Sequence, residues 1–158
     1  MPSEAQPPKP KPVRASLTQL SDLMYPNDAN MHGTVFGGIV LAMVDKAAAV
    51  CAMRHAEKSC VTVAMDRVEF LVPIHVGTLV VAEARIHHAG RSSMEIGVEV
   101  YAEDMTHGTR KHANSCLVTM VAVDKDGKPS SVPGLLLETP EEKSRHAEAE
   151  ARRKARKP

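Results

Sequence analysis

Asp45 stands where a carboxylate needs a reason: its neighbours Val44, Ala47, Ala48 and Ala49 are apolar or small, in a stretch from Ile39 to Ala56 without Gly or Pro. An unpaired ionised carboxylate in apolar surroundings costs several kcal/mol, so such a group is paired, hydrogen-bonded or put to use. A partner among Lys46, His55 or an arginine of a neighbouring strand would satisfy it. So would a role as general base or nucleophile. Immediately before this stretch runs the loop Asp28-Ala29-Asn30-Met31-His32-Gly33-Thr34-Val35-Phe36-Gly37-Gly38. Glycines at a helix start leave the first-turn N–H groups approachable, and those groups have no acceptor within the helix. The amides of Gly37 and Gly38 are therefore candidates for stabilising a developing oxyanion, with tight backbone packing or ordinary helix entry as the alternative.

The other reactive side chains form weaker patterns. There are eight His, but His87 and His88 are adjacent and would point to opposite faces of a strand, and no H-E-x-x-H pattern occurs. No metal site is expected. Cys51, Cys60 and Cys116 are odd in number, lack C-x-x-C spacing and follow no basic-then-apolar leader, so the reading is a reduced cytoplasm and thiols that are buried rather than nucleophilic. The basic run from Arg152 to Lys157 is read as a solvated helix end whose charges complement the helix dipole, with phosphate contact as the alternative.

These groups need elements to hold them. At 158 residues the chain suits one domain, and 43% hydrophobic residues permit an ordinary core. The Ile39–Ala56 stretch is apolar on nearly every face, which predicts a buried central helix, and its alanines let a sheet approach closely. Leu17 to Met24 reads as a first strand, with a turn at Tyr25-Pro26-Asn27-Asp28. Four further strands are expected at 61–72, 78–88, 93–103 and 110–123, as consecutive antiparallel neighbours. From Ser93 to Glu103, apolar Met94, Ile96, Val98, Val100 and Ala102 alternate with mostly polar residues, so one face is buried. Between Val61 and Val72 the apolar period slips by one near Asp66-Arg67, which predicts a bulge. Thr139-Pro140-Glu141-Glu142 predicts the cap of a C-terminal helix. The domain reading is a disordered Pro-rich leader over 1–14, a folded body over 15–138 and a basic helix or tail over 139–158.

Charge and composition exclude some classes. Residues 1–14 carry three basic and one acidic side chain, residues 15–140 carry ten and fourteen, and residues 141–158 carry seven and four. The folded body is acidic, and with two Tyr, two Phe and no Trp it offers no row of stacking platforms, so nucleic acid is not an expected partner. The longest apolar stretch, Gly37 to Met53, is interrupted by Asp45 and Lys46 and is short for a membrane span.

Taken together, MYPNDANMHGTVFGGIVLAMVDKAA, VEFLVPIHVG and GRSSMEIGVEV, in this order, resemble the hotdog-fold acyl-CoA thioesterases, and among them the cytosolic, YciA-like acyl-CoA hydrolases. The likeness runs from about Leu20 to Arg153. It implies an α+β hotdog fold, an antiparallel sheet wrapped around a long central helix with a C-terminal helix, and subunits joined sheet edge to sheet edge. The assembly implied is a homodimer at least, with trimers of dimers common in the family. The activity implied is hydrolysis of acyl-CoA to a free acid and CoA without a cofactor or metal. The resemblance assigns catalysis to Asn30 and Asp45, drawn from opposite subunits, with Gly37 and Gly38 at the oxyanion and Arg91, Ser92 and Ser93 contacting CoA. Thr34 stands where related sequences commonly have Asn or Asp, and Lys46 follows the catalytic Asp. Two other readings share the same residues: a hydratase or dehydratase using His32 beside Asp45, and a non-catalytic acyl-CoA sensor.

Overall fold

The computed structural model describes residues 6–156. In chain order the elements are β1 (Lys11–Pro12), β2 (Thr18–Leu23), α1 (Gly37–Ala56), β3 (Ser59–Phe70), β4 (Leu79–Ala89), β5 (Ser93–Asp104), β6 (Thr109–Val123), β7 (Leu135–Leu136) and α2 (Pro140–Arg156). Single 3-10 turns at Val13–Ser16 and Pro26–Asp28 flank β2.

Helix α1 begins two residues before the expected Ile39, because Phe36 is extended and both glycines enter the first turn. Val40, Met43, Val44, Ala47, Ala48, Cys51, Ala52, His55 and Ala56 are buried along it. Their three- and four-residue spacing gathers them on one broad face. That face meets the inner side chains of the sheet, among them Val80, Ala82 and Ala84 of β4, Met94, Ile96 and Val98 of β5, and Val118 and Met120 of β6. Each fully buried Val, Ile or Met contributes about 1.5–3 kcal/mol relative to exposure. The helix stops where Glu57 turns left-handed, at φ 53°.

The five main strands form one antiparallel sheet in the order β2-β4-β5-β6-β3. This corrects the expectation of four consecutive neighbours: β4, β5 and β6 are, but β3 pairs with β6 at the far edge. The chain leaves β3 at one edge and crosses to enter β4 beside β2 at the other. Residues 71–78 make that crossing, tied down where Leu71 N–H donates to Ala113 O at 2.9 Å and Met24 N–H to Thr78 O at 3.0 Å. The bulge at Asp66-Arg67 is present: the β3–β6 register shifts between Asp66 and Glu69, and Arg67 adopts φ 51°. A second shift, between Thr62 and Ala64, was not signalled by the apolar pattern.

The Pro-rich leader is ordered in part, contrary to expectation. Lys11–Pro12 pairs in parallel with Leu135–Leu136, Lys11 Nζ donates to Arg54 O at 2.8 Å, and Val13 is buried. A polar segment lacking a core of its own can still be held by backbone pairing and one anchoring side chain. The leader's residues 1–5 lie outside the described residues.

Helix α2 starts as expected. Thr139 Oγ1 accepts the Glu142 amide at 3.1 Å, and the Glu142 carboxylate reaches back to the Glu138 amide at 2.7 Å. The helix lies on the outer face of the sheet, opposite α1. Its basic end is not simply solvated: Arg152 grips the Glu95 carboxylate on β5 with two N–H groups, and Arg156 pairs with Asp66 on β3. Among the described residues no helix is long and apolar enough to cross a membrane.

The Arg152–Glu95 pair should set part of the acid sensitivity. Burial raises the Glu95 pKa, but the His87 imidazole and the Arg152 guanidinium outweigh it and hold the carboxyl at about 2, against an ordinary 4.5. A carboxylate held below its unfolded value adds stability that is fully present above the unfolded pKa and is lost as pH falls through the folded one. Arg152→Ala is expected to cost about 2 kcal/mol at pH 7, because it removes two charge-assisted hydrogen bonds and leaves the half-buried Glu95 carboxylate with His87 alone. Urea denaturation at stepped pH checks this, with the difference from the parent shrinking between pH 4.5 and 2.

Candidate active site

The loop before α1 is a small closed hairpin organised by Asn30. Its Oδ1 accepts the backbone N–H of His32 at 2.8 Å and of Thr34 at 3.3 Å, and its Nδ2 donates to Thr34 Oγ1 at 3.1 Å. The main chain closes the same loop through Asn30 N–H to Thr34 O at 2.7 Å. An Asn side chain that bonds backbone two and four residues on stabilises such a turn, and Gly33 supplies the positive φ of 81° that it needs. Thr34 serves here as the internal partner of Asn30. The crossing segment holds the loop from outside, with Val35 N–H donating to Ile74 O at 2.8 Å and Thr34 bridging to His75.

Gly37 and Gly38 form the first turn of α1. Among the described residues, no hydrogen bond takes their N–H groups, whereas the Phe36 amide is taken by Asp28 O and the Ile39 amide by Phe36 O. Packing favours glycine at both positions, most clearly at Gly38. A Cβ on Gly38 would lie 2.4 Å from the Phe36 ring, and one on Gly37 would lie 3.3 Å from the Phe70 ring. The two readings offered by the sequence are therefore compatible. Beside Gly37 is a small apolar pocket of about 190 Å³, walled by Val35, Val40, Phe70, Leu71 and Ile74 among others.

Asp45 is half-buried rather than enclosed, and its hydrogen-bond partner is none of those expected. Thr62 Oγ1, on the edge strand β3, donates to Asp45 Oδ1 at 2.6 Å. Lys46 is exposed, and His55 is directed elsewhere, its Nε2 lying 2.7 Å from Pro133 O. Thr62 thus orients the carboxylate, with one oxygen engaged. Sequence reading missed it, because a Thr between Val61 and Val63 looks like an ordinary strand residue and its pairing with α1 is tertiary.

Within one chain these groups do not converge. Gly38 and Asp45 are seven residues apart on α1, so they share a face but stand about 10 Å apart along the axis. Among the described residues no hydrogen bond joins Asn30 or His32 to Asp45, and His32 lies exposed in the loop. The cysteines are poor nucleophiles: burial pushes the thiols of Cys51 and Cys116 up to about 11 and raises that of Cys60. Arg91 and Ser92 lie in the turn between β4 and β5, and Ser93 opens β5. The turn is closed by Gly90 N–H to Ser93 O at 2.7 Å and held by Ala122 N–H to Ser92 O at 2.9 Å. The Arg153 guanidinium of α2 covers Gly90, where a Cβ would meet it at 2.6 Å.

The family model described as the thioesterase superfamily matches residues 32–109. A Bacillus subtilis protein named as an uncharacterized acyl-CoA thioester hydrolase is 40% identical over 134 residues, which is 85% of this chain and 78% of that one. The mouse cytosolic acyl coenzyme A thioester hydrolase is 34% identical over 147 residues, 92% of this chain but only 39% of the longer mouse protein. A crystal structure of an apo-hexameric acyl-CoA thioesterase superposes with a TM-score of 0.90 at 40% identity, covering 94% of this chain and 96% of that one. The Staphylococcus aureus acyl-CoA hydrolase solved with butyryl coenzyme A and coenzyme A gives 0.84 at 38% identity, covering 92% and 91%. Single Asp, Asn and Thr to Ala variants of that hydrolase have also been solved. The chain belongs to the acyl-CoA thioester hydrolases of the thioesterase superfamily.

The internal bonding of the loop makes a structural prediction. Asn30→Ala should speed amide hydrogen exchange across residues 30–36 by about tenfold or more while leaving protection of β4 and β5 unchanged. Asn30→Asp, which keeps the acceptor oxygen, should retain most of the protection.

Proposed function

We propose that this protein hydrolyses acyl-CoA thioesters to a carboxylic acid and CoA at sites completed between subunits, with Asp45 from one chain and Asn30 from another. The observation that carries this reading is the placement of Asp45: oriented by Thr62 beneath the edge strand β3, and about 10 Å along the helix from its own glycine amides. A carbonyl held against Asp45 is too far from the Gly37 and Gly38 amides of the same chain. The corresponding loop of a partner, bringing Asn30 and both glycines together, supplies what is lacking. The edge strand favours such a partner, since Val61, Val63 and Phe70 along β3 are exposed apolar side chains on an unpaired edge. A homodimer built on that edge, and its assembly into a trimer of dimers, fit the hexameric description of the relative.

In the reaction, Asp45 takes a proton from water as the water oxygen attacks the thioester carbon. Alternatively it attacks that carbon directly, giving an anhydride that water then opens. The carbonyl oxygen becomes an oxyanion facing the glycine amides, and Asn30 holds the water or the carbonyl. Collapse expels CoA as its thiolate, which takes up a proton, and the acid leaves. Arg91, Ser92 and Ser93 are assigned to contacts with CoA, and the chemistry requires neither metal nor cofactor. Further support comes from the S. aureus variants: the Asn, Asp and Thr replaced there each stand two positions earlier in that chain than Asn30, Asp45 and Thr62 do here. A cytoplasmic location is proposed from the three free cysteines and the cytosolic mouse relative.

Free-thiol release from acyl-CoAs of increasing chain length tests the assignment. Asp45→Ala is expected to lower kcat by at least about 100-fold with native folding retained. Thr62→Val should lower it by about tenfold through loss of carboxylate orientation. Native protein that binds these thioesters without releasing thiol would overturn hydrolysis in favour of a sensor. Full turnover by Asp45→Ala would remove the residue from the mechanism.

A further inference from the structure

The outer face of the sheet, beneath α2, holds a side-chain cluster that thioester hydrolysis does not use. His88 of β4 is only 6% exposed, and its Nε2 is hydrogen-bonded to the Glu150 carboxylate of α2. His146, one turn earlier on α2, stacks on His88 with ring centroids 5.0 Å apart and planes 25° from parallel. One nitrogen from each ring and one Glu150 oxygen all lie within 4.8 Å of one another. Among the described residues His146 makes no hydrogen bond, so the stacked ring keeps its nitrogens for another partner.

The backbone explains the convergence. His146 and Glu150 are four residues apart on a helix and share a face. On β4 the register slips between Ile86 and His88, so His88 falls opposite Glu95 on the outer side while Ile86 remains in the core. Arg152 and its grip on Glu95 hold α2 over this position.

Two imidazole nitrogens and one carboxylate oxygen are a donor set for a borderline cation of the zinc class. Calcium and magnesium prefer oxygen cages. Zinc ligands at about 2.0–2.2 Å in tetrahedral array stand about 3.4 Å from one another. Taking up an ion requires His146 to turn its ring out of the stack so that a nitrogen lone pair faces the shared point, and Glu150 to open away from its hydrogen bond to His88. Both residues are only partly buried on α2 and have room to adjust against the buried His88. A fourth, open position would be left to water, as in three-ligand zinc sites. The competing cation is Lys154, one turn further on α2, whose charge already acts on Glu150.

We propose that His88, His146 and Glu150 form a zinc-class divalent cation site that fastens α2 to the outer face of the sheet, apart from Asp45 on the inner side. The site is independent of the hydrolytic reading. The test uses full-length protein without a polyhistidine tag, stripped with chelator, and titrated with Zn2+ by calorimetry and by thermal melting. The expected result is one Zn2+ per chain and a higher melting temperature when bound. His146→Gln and Glu150→Gln should each weaken binding by at least about tenfold and remove the thermal shift. His107→Gln, at an exposed pair with Asp104 elsewhere, should change neither. Co2+ should give the visible absorption of a tetrahedral ion in the parent and not in the two variants. Absence of stoichiometric uptake overturns the proposal. So does uptake that survives either variant, since the ion would then sit on other ligands.

Discussion

The close approach of α1 to the inner face of the sheet is the contact on which the remaining structure depends. Ala47, Ala48, Cys51 and Ala52 are fully buried there, and their small side chains let the helix lie near the strands along much of its length. Bulkier residues at these positions would lift the helix, open voids between Val44 and the edge strands, and separate Asp45 from Thr62. The 2.6 Å hydrogen bond between those two is thus a consequence of core packing as much as a local feature. The position that most needs a polar partner finds it at the margin of the core, where the helix passes under the last strand.

The topology adds a second constraint. Because β3 lies at one edge and β4 begins beside β2, the chain must cross between them, and the crossing segment at residues 71–78 becomes the wall against which the Asn30 loop is built. The loop is consequently held by its own hydrogen bonds and by those to the crossing segment, which would lower the entropic cost of presenting Asn30 and the glycine amides at the proposed site. The same arrangement leaves β3 unpaired on one side, with apolar side chains exposed along it. A fold that separates Asp45 from its own loop while offering a sticky edge is suited to completing its proposed site with a second copy.

On the outer face the forces differ. Helix α2 buries only Ala149 completely, and its hold on the sheet is largely polar, through Arg152 with Glu95, Arg156 with Asp66, and Glu150 with His88. Charged contacts of this kind specify where a helix sits more than they add stability. They also bring Arg153 over the Gly90 turn, next to the residues proposed to contact CoA.

How much of this the sequence carried depends on the range of the interactions. Local patterns were sufficient for the strands, for the β3 bulge at Asp66-Arg67, for the Thr139 cap and for the buried helix, since alternation, helical period and capping are properties of near neighbours. The loop and helix motifs were enough to name Asn30, Asp45, Gly37 and Gly38, and the family they resemble. Thr62 as the partner of Asp45, the crossing that places β3 at an edge, the ordering of Lys11–Pro12 and the meeting of His88 with His146 and Glu150 were decided only by the tertiary structure. Each joins residues far apart in the chain through strand order and packing, and neither leaves a period or a spacing along the sequence.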